Sequence, residues 1–208
     1  MRIRTLTLIA LAALVGLVAG PASAASAQQS YGDVPAVPAI GSKMPALKLT
    51  TLAGQTTDLA ANSSKNGILV IFISVQCPVS NAYNERMEAL AQEWRARGFA
   101  VVGVNANRTE TPEAIVEHAR EHGFTFTILK DNDNRLADAL GASFTPETYL
   151  FDSTGTLRYH GRIDDSKDPS AISKRDLTDA LSAISDGKTI AVTDTKAFGC
   201  TIKRVPRS

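Results

Sequence analysis

The 208 residues carry a formal net charge of +1 with 21% charged side chains, so the chain has no global field for nucleic acid. Only two cysteines occur, Cys77 and Cys200, which excludes a four-cysteine metal site and leaves one disulfide available within the chain. The length suits one domain with a good core once a leader is removed.

The chain opens with Arg2 and Arg4, an apolar run from Leu6 to Ala19, and two small-x-small sites, Ala22-Ser23-Ala24 and Ala25-Ser26-Ala27. This pattern predicts a secretory signal peptide over residues 1–27. The run is shorter than the roughly 20 residues that a spanning helix needs, so no stable membrane insertion is expected after cleavage. Export, to the periplasm or the exterior, places both thiols where a disulfide can persist. Residues 28–40, with Pro35 and Pro38, read as a flexible lead-in. Met44 to Asp58 alternates around Gly54 and predicts a small N-terminal hairpin.

Gly67 to Arg97 organises the rest. Ile68 to Ile73 is an unbroken apolar run, the mark of a strand buried on both faces. Beyond Cys77-Pro78, the residues Val79, Tyr83, Met87, Leu90 and Trp94 follow helical spacing and predict one helix running to Arg97. Pro78 suits the first helical position, where its missing N–H has no partner to lose. Cys77 therefore sits where a buried strand hands over to a helix. Backbone N–H groups and the positive helix end converge there, and both favour a thiolate. Such a thiolate attacks a disulfide sulfur or a peroxide oxygen. The plainer alternative is a small buried core residue.

Phe99 to Asn105 predicts a second strand, and Thr111-Pro112-Glu113 opens a helix that Gly123 ends. Phe124 to Leu129 reads as a third strand. Asp131 to Asn134 caps a short helix through Leu136 and Leu140, and Thr148 to Phe151 is a fourth strand. Asp152 to Gly155 turns into Leu157 to Ile163, completing a hairpin. Ser173 and Asp176 read as a capping pair for a last helix carrying Leu177, Leu181 and Ile184. The order β-α-β-α-β-α-β-β-α predicts a central mixed sheet flanked by helices, with the domain over residues 41–188 and a C-terminal tail over 189–208.

Ile68 to Ile73, Cys77-Pro78 and Thr145-Pro146 ahead of a hairpin resemble the thioredoxin fold. In that fold the proline faces the reactive cysteine after a cis peptide bond. The opening Ile40-Gly41-Ser42-Lys43-Met44-Pro45-Ala46-Leu47, with Gly54 and Leu59, is similar to the hairpin of the alkyl hydroperoxide reductase/thiol-specific antioxidant (AhpC/TSA) branch. Thr145 to Asp152, Tyr159 to Asp165 and Gly199 to Lys203 resemble an exported redoxin subgroup of that branch. The likeness covers roughly residues 40 to 203. Two departures stand out. Ser80 occupies the place of the second cysteine of a Cys-x-x-Cys pair. Val70 and Ser74 stand where peroxiredoxins carry proline and threonine. Ser74 keeps a hydroxyl able to hydrogen-bond peroxide.

The resemblance implies an exported thiol-dependent oxidoreductase without cofactor or metal. Cys77 is its nucleophile and Thr145-Pro146 offers backbone to the substrate, which is a peroxide or a protein disulfide. An external thiol supplies electrons. From Gly187 the tail, at about 3.3 Å per residue, reaches roughly 40 Å, enough to bring Cys200 to Cys77. Cys200 can then resolve an oxidised Cys77. It can equally staple the tail permanently, worth about 4–5 kcal/mol in the chain-entropy model, or stay unpaired or bond between chains. A non-catalytic binding or structural module is the rival class.

Among the other polar residues, Arg162, Asp164 and Asp165 read as a solvated loop with an internal ion pair, the alternative being a group that orients substrate or tail. His118 and His122, at helical i, i+4 spacing, read as structural. His160 in the hairpin could approach a copper ion at Cys77, though the usual close pair of cysteines is missing. Lys203, Arg204 and Arg207 are too few for a nucleic-acid surface.

Overall fold

In a computed structural model that describes residues 34–206, the hairpin near Gly54 forms from Lys48–Thr51 (β1) and Thr56–Asp58 (β2). Gly54 sits at φ 80° in the connecting turn, a conformation that suits a residue without a Cβ. The expected signal peptide lies outside the described residues, as does the first part of the lead-in. From Pro35 onward the lead-in crosses the end of a later helix, and Val37 packs on the core.

Gly67–Phe72 (β3) is buried throughout, as its apolar run requires. It pairs in parallel with Ala100–Asn105 (β4), which pairs in parallel with Thr127–Lys130 (β5). On the other side β3 meets Glu147–Asp152 (β7) and then Leu157–Gly161 (β8), both antiparallel. The hairpin joins through β1 at β5, giving the order β2-β1-β5-β4-β3-β7-β8. This is the expected mixed sheet. The pleat of β3 divides the core. Leu69, Ile71 and Ile73 face Met87, Leu90, Trp94, Leu177 and Leu181. Ile68, Val70 and Phe72 face Leu136, Leu140 and Leu49.

Three elements depart from expectation. The single helix after Pro78 is two, Pro78–Asn81 (α1) and Asn84–Ala96 (α2). At the break Asn81 Nδ2 donates back to Val75 O (3.1 Å), and Tyr83 N bonds three residues back to Ser80 O (3.0 Å). Both tighten the chain away from α-helical geometry. The later helices are Pro112–Glu121 (α3), Arg135–Leu140 (α4) and Asp176–Ser185 (α5). Thr111 Oγ1 caps α3 as expected, accepting from Ala114 N at 3.3 Å. Asp131 Oδ2 accepts from Leu136 N (3.0 Å) and Ala137 N (2.9 Å) at the start of α4. Ser173, however, does not cap α5, because its N–H and hydroxyl both bind the Asp165 carboxylate. Finally, two short strands that the sequence pattern did not predict, Phe144–Thr145 (β6) and Cys200–Thr201 (β9), form a separate antiparallel pair.

Candidate active site

β3 ends at Phe72 and delivers Ser74-Val75-Gln76 to the mouth of the sheet, where a buried carboxylate receives them. Glu110 Oε1 accepts from the Ser74 hydroxyl (2.5 Å) and Gln76 N (3.1 Å), and Oε2 accepts from Val75 N (3.0 Å) and Asn105 Nδ2. Ser80 Oγ adds a bond from Ser74 N at 3.2 Å. Behind Glu110, Lys130 Nζ donates to Asn105 Oδ1 (2.8 Å) and Asn107 O (2.6 Å). Burial pulls Lys130 below the usual lysine range, against the opposing pull of Glu110 and Asp131. The loop before Cys77 is thus clamped by side chains. Glu110 was not among the expected site residues. Its only sequence signal was an acid just ahead of the Thr111-Pro112 helix start.

Cys77 is the N-cap of α1, and Ser80 N lies 3.3 Å from its Sγ. A four-residue helix has little macrodipole, so this local N–H replaces the extended dipole expected from one long helix. Thr145-Pro146 carries the cis bond implied by the resemblance, and Thr145 O lies 3.3 Å from Cys77 Sγ. Cys77 and Cys200 form a disulfide with Cα atoms 5.8 Å apart and a sequence separation of 123. Cys77, Cys200, Thr145, Pro146 and Ser74 therefore gather at one place. The Ser74 hydroxyl hydrogen is already given to Glu110.

The tail reaches Cys77 along a main-chain seam. Thr145 pairs with Cys200 and Phe144 with Thr201. Ile202 N donates to Ser143 O (3.0 Å), Lys203 N to Asn107 Oδ1 (2.8 Å), and Val205 N to Asn134 Oδ1 (2.7 Å). Arg204 pairs with Asp138 at 3.0 Å. Ahead of Cys200, His160 N donates to Thr193 O and Thr195 N to His160 O, each at 3.0 Å. Gly199 has φ 153°, and a Cβ there would fall 2.0 Å from Thr145 O. Only glycine lets the two backbones come this close.

The remaining polar residues are placed differently from expectation. Arg162, Asp164 and Asp165 form no ion pair among themselves. Buried Asp164 accepts from Tyr83 OH (2.8 Å) and Arg86 (2.6 Å), and Arg162 reaches Asp176 at 2.7 Å. Asp165 is bound by the Ser173 hydroxyl and by the N–H groups of Lys174 and Ser173, which hold it below the usual carboxylate range. The three thus tie the hairpin to α2 and α5. The His118 and His122 rings meet at a tilt of 52° with centroids 4.3 Å apart, and burial followed by the neighbouring His122 lowers the His118 pKa. His160 is buried with Nε2 on Glu147 (2.8 Å) and Nδ1 on Asp194 (2.6 Å). Both ring nitrogens are occupied, so it has none to offer a copper ion at Cys77.

A family model described as the AhpC/TSA family matches residues 40–160. The chain belongs to the AhpC/TSA family. This AhpC/TSA chain is 33% identical over 122 residues to a thiol:disulfide interchange protein, DsbE, of Yersinia pestis, covering 58% of this chain and 62% of the relative. It thus spans about three fifths of that relative's length. A hypothetical protein from Sinorhizobium meliloti 1021 superposes with a TM-score of 0.76 at 30% identity, over 83% of this chain and 98% of that one. A secreted disulfide oxidoreductase of Mycobacterium tuberculosis, titled as homologous to DsbE, superposes at 0.52 with 21% identity over 66% and 95%, a likeness of fold alone. The fold of this AhpC/TSA chain is the thioredoxin fold expected from the sequence.

Proposed function

We propose that this chain is an exported thiol-disulfide oxidoreductase whose working couple is Cys77–Cys200. The supporting observation is the placement of that bridge, at a strand-to-helix junction, against a cis-proline and beside the Ser80 N–H. The name of the Yersinia pestis relative agrees with this chemistry. Export rests on the signal-peptide pattern of residues 1–27. In the oxidised chain a thiolate attacks one sulfur and expels the other. Ser80 N–H stabilises a departing Cys77 thiolate, and a low leaving-group pKa speeds exchange. Cys200, held beside it by the tail, closes the bridge again and returns the two electrons to an acceptor disulfide. Disulfide exchange is favoured over peroxide reduction because Ser74 directs its hydroxyl hydrogen to Glu110, and the proline of peroxiredoxins is replaced by Val70.

One observation favours the rival reading, a structural staple in a non-catalytic module: Cys77 is only 2% exposed beneath the tail. Equilibration of signal-free protein in a thiol–disulfide buffer series, read by alkylation and mass spectrometry, separates the two. A working couple equilibrates near roughly −200 mV, whereas a bridge that resists reduction to about −300 mV is a staple and ends the oxidoreductase reading.

A further inference from the structure

In the oxidised chain the edge beside the cis-proline is already taken. A polypeptide substrate laid along β6 would need the backbone groups of Phe144 and Thr145, and β9 occupies them. The tail is also bonded to the domain on both sides of Cys200, through Thr193 and Thr195 before it and Ile202 to Val205 after it. None of those bonds passes through the bridge.

A second approach remains open. A cavity of about 230 Å³ lies against the disulfide and is lined by both cysteines with Ser74, Gln76, Asn107, Glu110, Thr201 and Lys203. Its polar groups are unevenly satisfied. Glu110 has both oxygens engaged by the loop before Cys77 and by Asn105. Asn107 is 2% exposed, its carbonyl accepts from Lys130 and its Oδ1 accepts from Lys203 N, yet its Nδ2 has no partner. Because Oδ1 is held by an N–H donor, the amide orientation is determined. A buried N–H group without an acceptor marks a place where one is wanted. Lys203, on the same wall, is exposed and its Nζ has no hydrogen-bond or ion-pair partner among the described residues.

We propose that this cavity is the binding site for a small thiol bearing a carboxylate, received by Asn107 Nδ2 and Lys203 Nζ, which reduces the bridge. The inference rests on the oxidoreductase reading and names its electron donor by class. The thiolate attacks the sulfur of the more exposed cysteine, Cys200. A bond forms between the donor sulfur and Cys200 Sγ, the Cys77–Cys200 bond breaks, and Cys77 leaves as a thiolate beside Ser80 N–H. A second donor thiolate attacks the donor sulfur of the mixed disulfide. It leaves with the first as a small disulfide, and Cys200 takes up a proton. Two donor thiols are oxidised and the bridge gains two electrons.

The test measures reduction rates of signal-free oxidised protein by mercaptoacetate, 2-mercaptoethanol and cysteamine, corrected for thiolate fraction and intrinsic nucleophilicity. The carboxylate thiol is expected to be fastest and the cationic thiol slowest. Asn107→Asp keeps the shape and the acceptor for Lys203 N while replacing the donor with a charge, and should slow mercaptoacetate about tenfold without slowing cysteamine. Lys203→Glu, at an exposed position, should shift the same ratio about fivefold. Equal corrected rates across the three thiols overturn this inference alone, as does faster reduction by a dithiol protein than by any small thiol. A bridge that none of them reduces overturns the oxidoreductase reading and this inference together.

Discussion

The two halves of the bridge are held in different ways. Around Cys77 side chains hold the position: one carboxylate, Glu110, collects a hydroxyl, two backbone N–H groups and an amide, with Lys130 and Asn105 behind it. Around Cys200 the tail is held largely by its own backbone, through the β6–β9 pair and the N–H groups of Ile202, Lys203 and Val205, the last two received by the side chains of Asn107 and Asn134. A side-chain clamp concentrates its energy in a few residues that one substitution can remove. A seam made from the tail's backbone tolerates most changes in the tail's own side chains and is opened by altering that backbone or its asparagine acceptors.

The largest effect should come from cutting the link between the halves. Cys200→Ser releases a constraint on a loop of 123 residues and should cost about 5 kcal/mol in the chain-entropy model, read from denaturant unfolding. If the seam is self-sufficient, the amides of Ile202, Lys203 and Val205 stay protected from hydrogen exchange in this variant. Rapid exchange at all three would show that the bridge alone holds the tail, and the contrast would collapse.

Next comes the clamp. Glu110→Ala strands four donors, two of them in buried bonds, and removes a negative charge that attracts Lys130, and should cost about 3–5 kcal/mol. Glu110→Gln keeps part of the bonding and should cost less. A midpoint of urea unfolding within error of wild type for the alanine variant would remove Glu110 from its assigned role. Gly199→Ala tests the seam. Its Cβ must push Thr145 O away, so about 1–3 kcal/mol is expected, with amide protection lost in β9 and kept around Gln76. Loss of protection at both places would mean that the two halves are not separately held.

The smallest effect concerns pH. His160 joins the seam to β7, lying between Glu147 and Asp194. Burial opposes its charge, but hydrogen bonds and attraction from both carboxylates outweigh that, so its pKa lies above the ordinary value. Its contribution to stability is therefore fully present below about pH 6.5 and fades as pH rises through the folded pKa. Glu147 is also opposed by burial, and the bonds from His160, Phe144 and Ser143 still lower it. Its contribution is present above about pH 4.3 and fades in acid. Unfolding midpoints should decline modestly on both sides of that window, and a nuclear magnetic resonance titration should place the His160 ring above 6.5. A ring titrating below that value would contradict the ion-paired arrangement.

Much of the fold was legible because local signals agreed with the tertiary answer. The run Ile68 to Ile73 could be satisfied only between two layers, and Thr111-Pro112 carried its own helix start. Cys77, Thr145, Pro146 and Cys200 were legible as a set through resemblance and order. What escaped depended on distant partners. β6 and β9 are two residues each, too short to show a period. The break at Ala82 and Tyr83 is invisible in a stripe of apolar residues that keeps helical spacing across it. Glu110 and Asp164 look like ordinary surface acids until the chain folds over them, and Ser173 met the pattern of a cap while being claimed by Asp165. Asn107 carried no motif at all, since its meaning comes from Lys203 taking one end of its amide and leaving the other.

The pairing of two cysteines across 123 residues also governs how the chain can be oxidised. Six cysteines admit fifteen pairings, and secreted proteins of that kind must sort through them. This sequence admits one. Oxidation within a single molecule has no wrong isomer to correct, so in the absence of small thiols its competitor is a bridge to a second molecule. That competition is set by protein concentration: dilute oxidative refolding should yield a single disulfide form, with no covalent dimer, without help from a disulfide-shuffling catalyst.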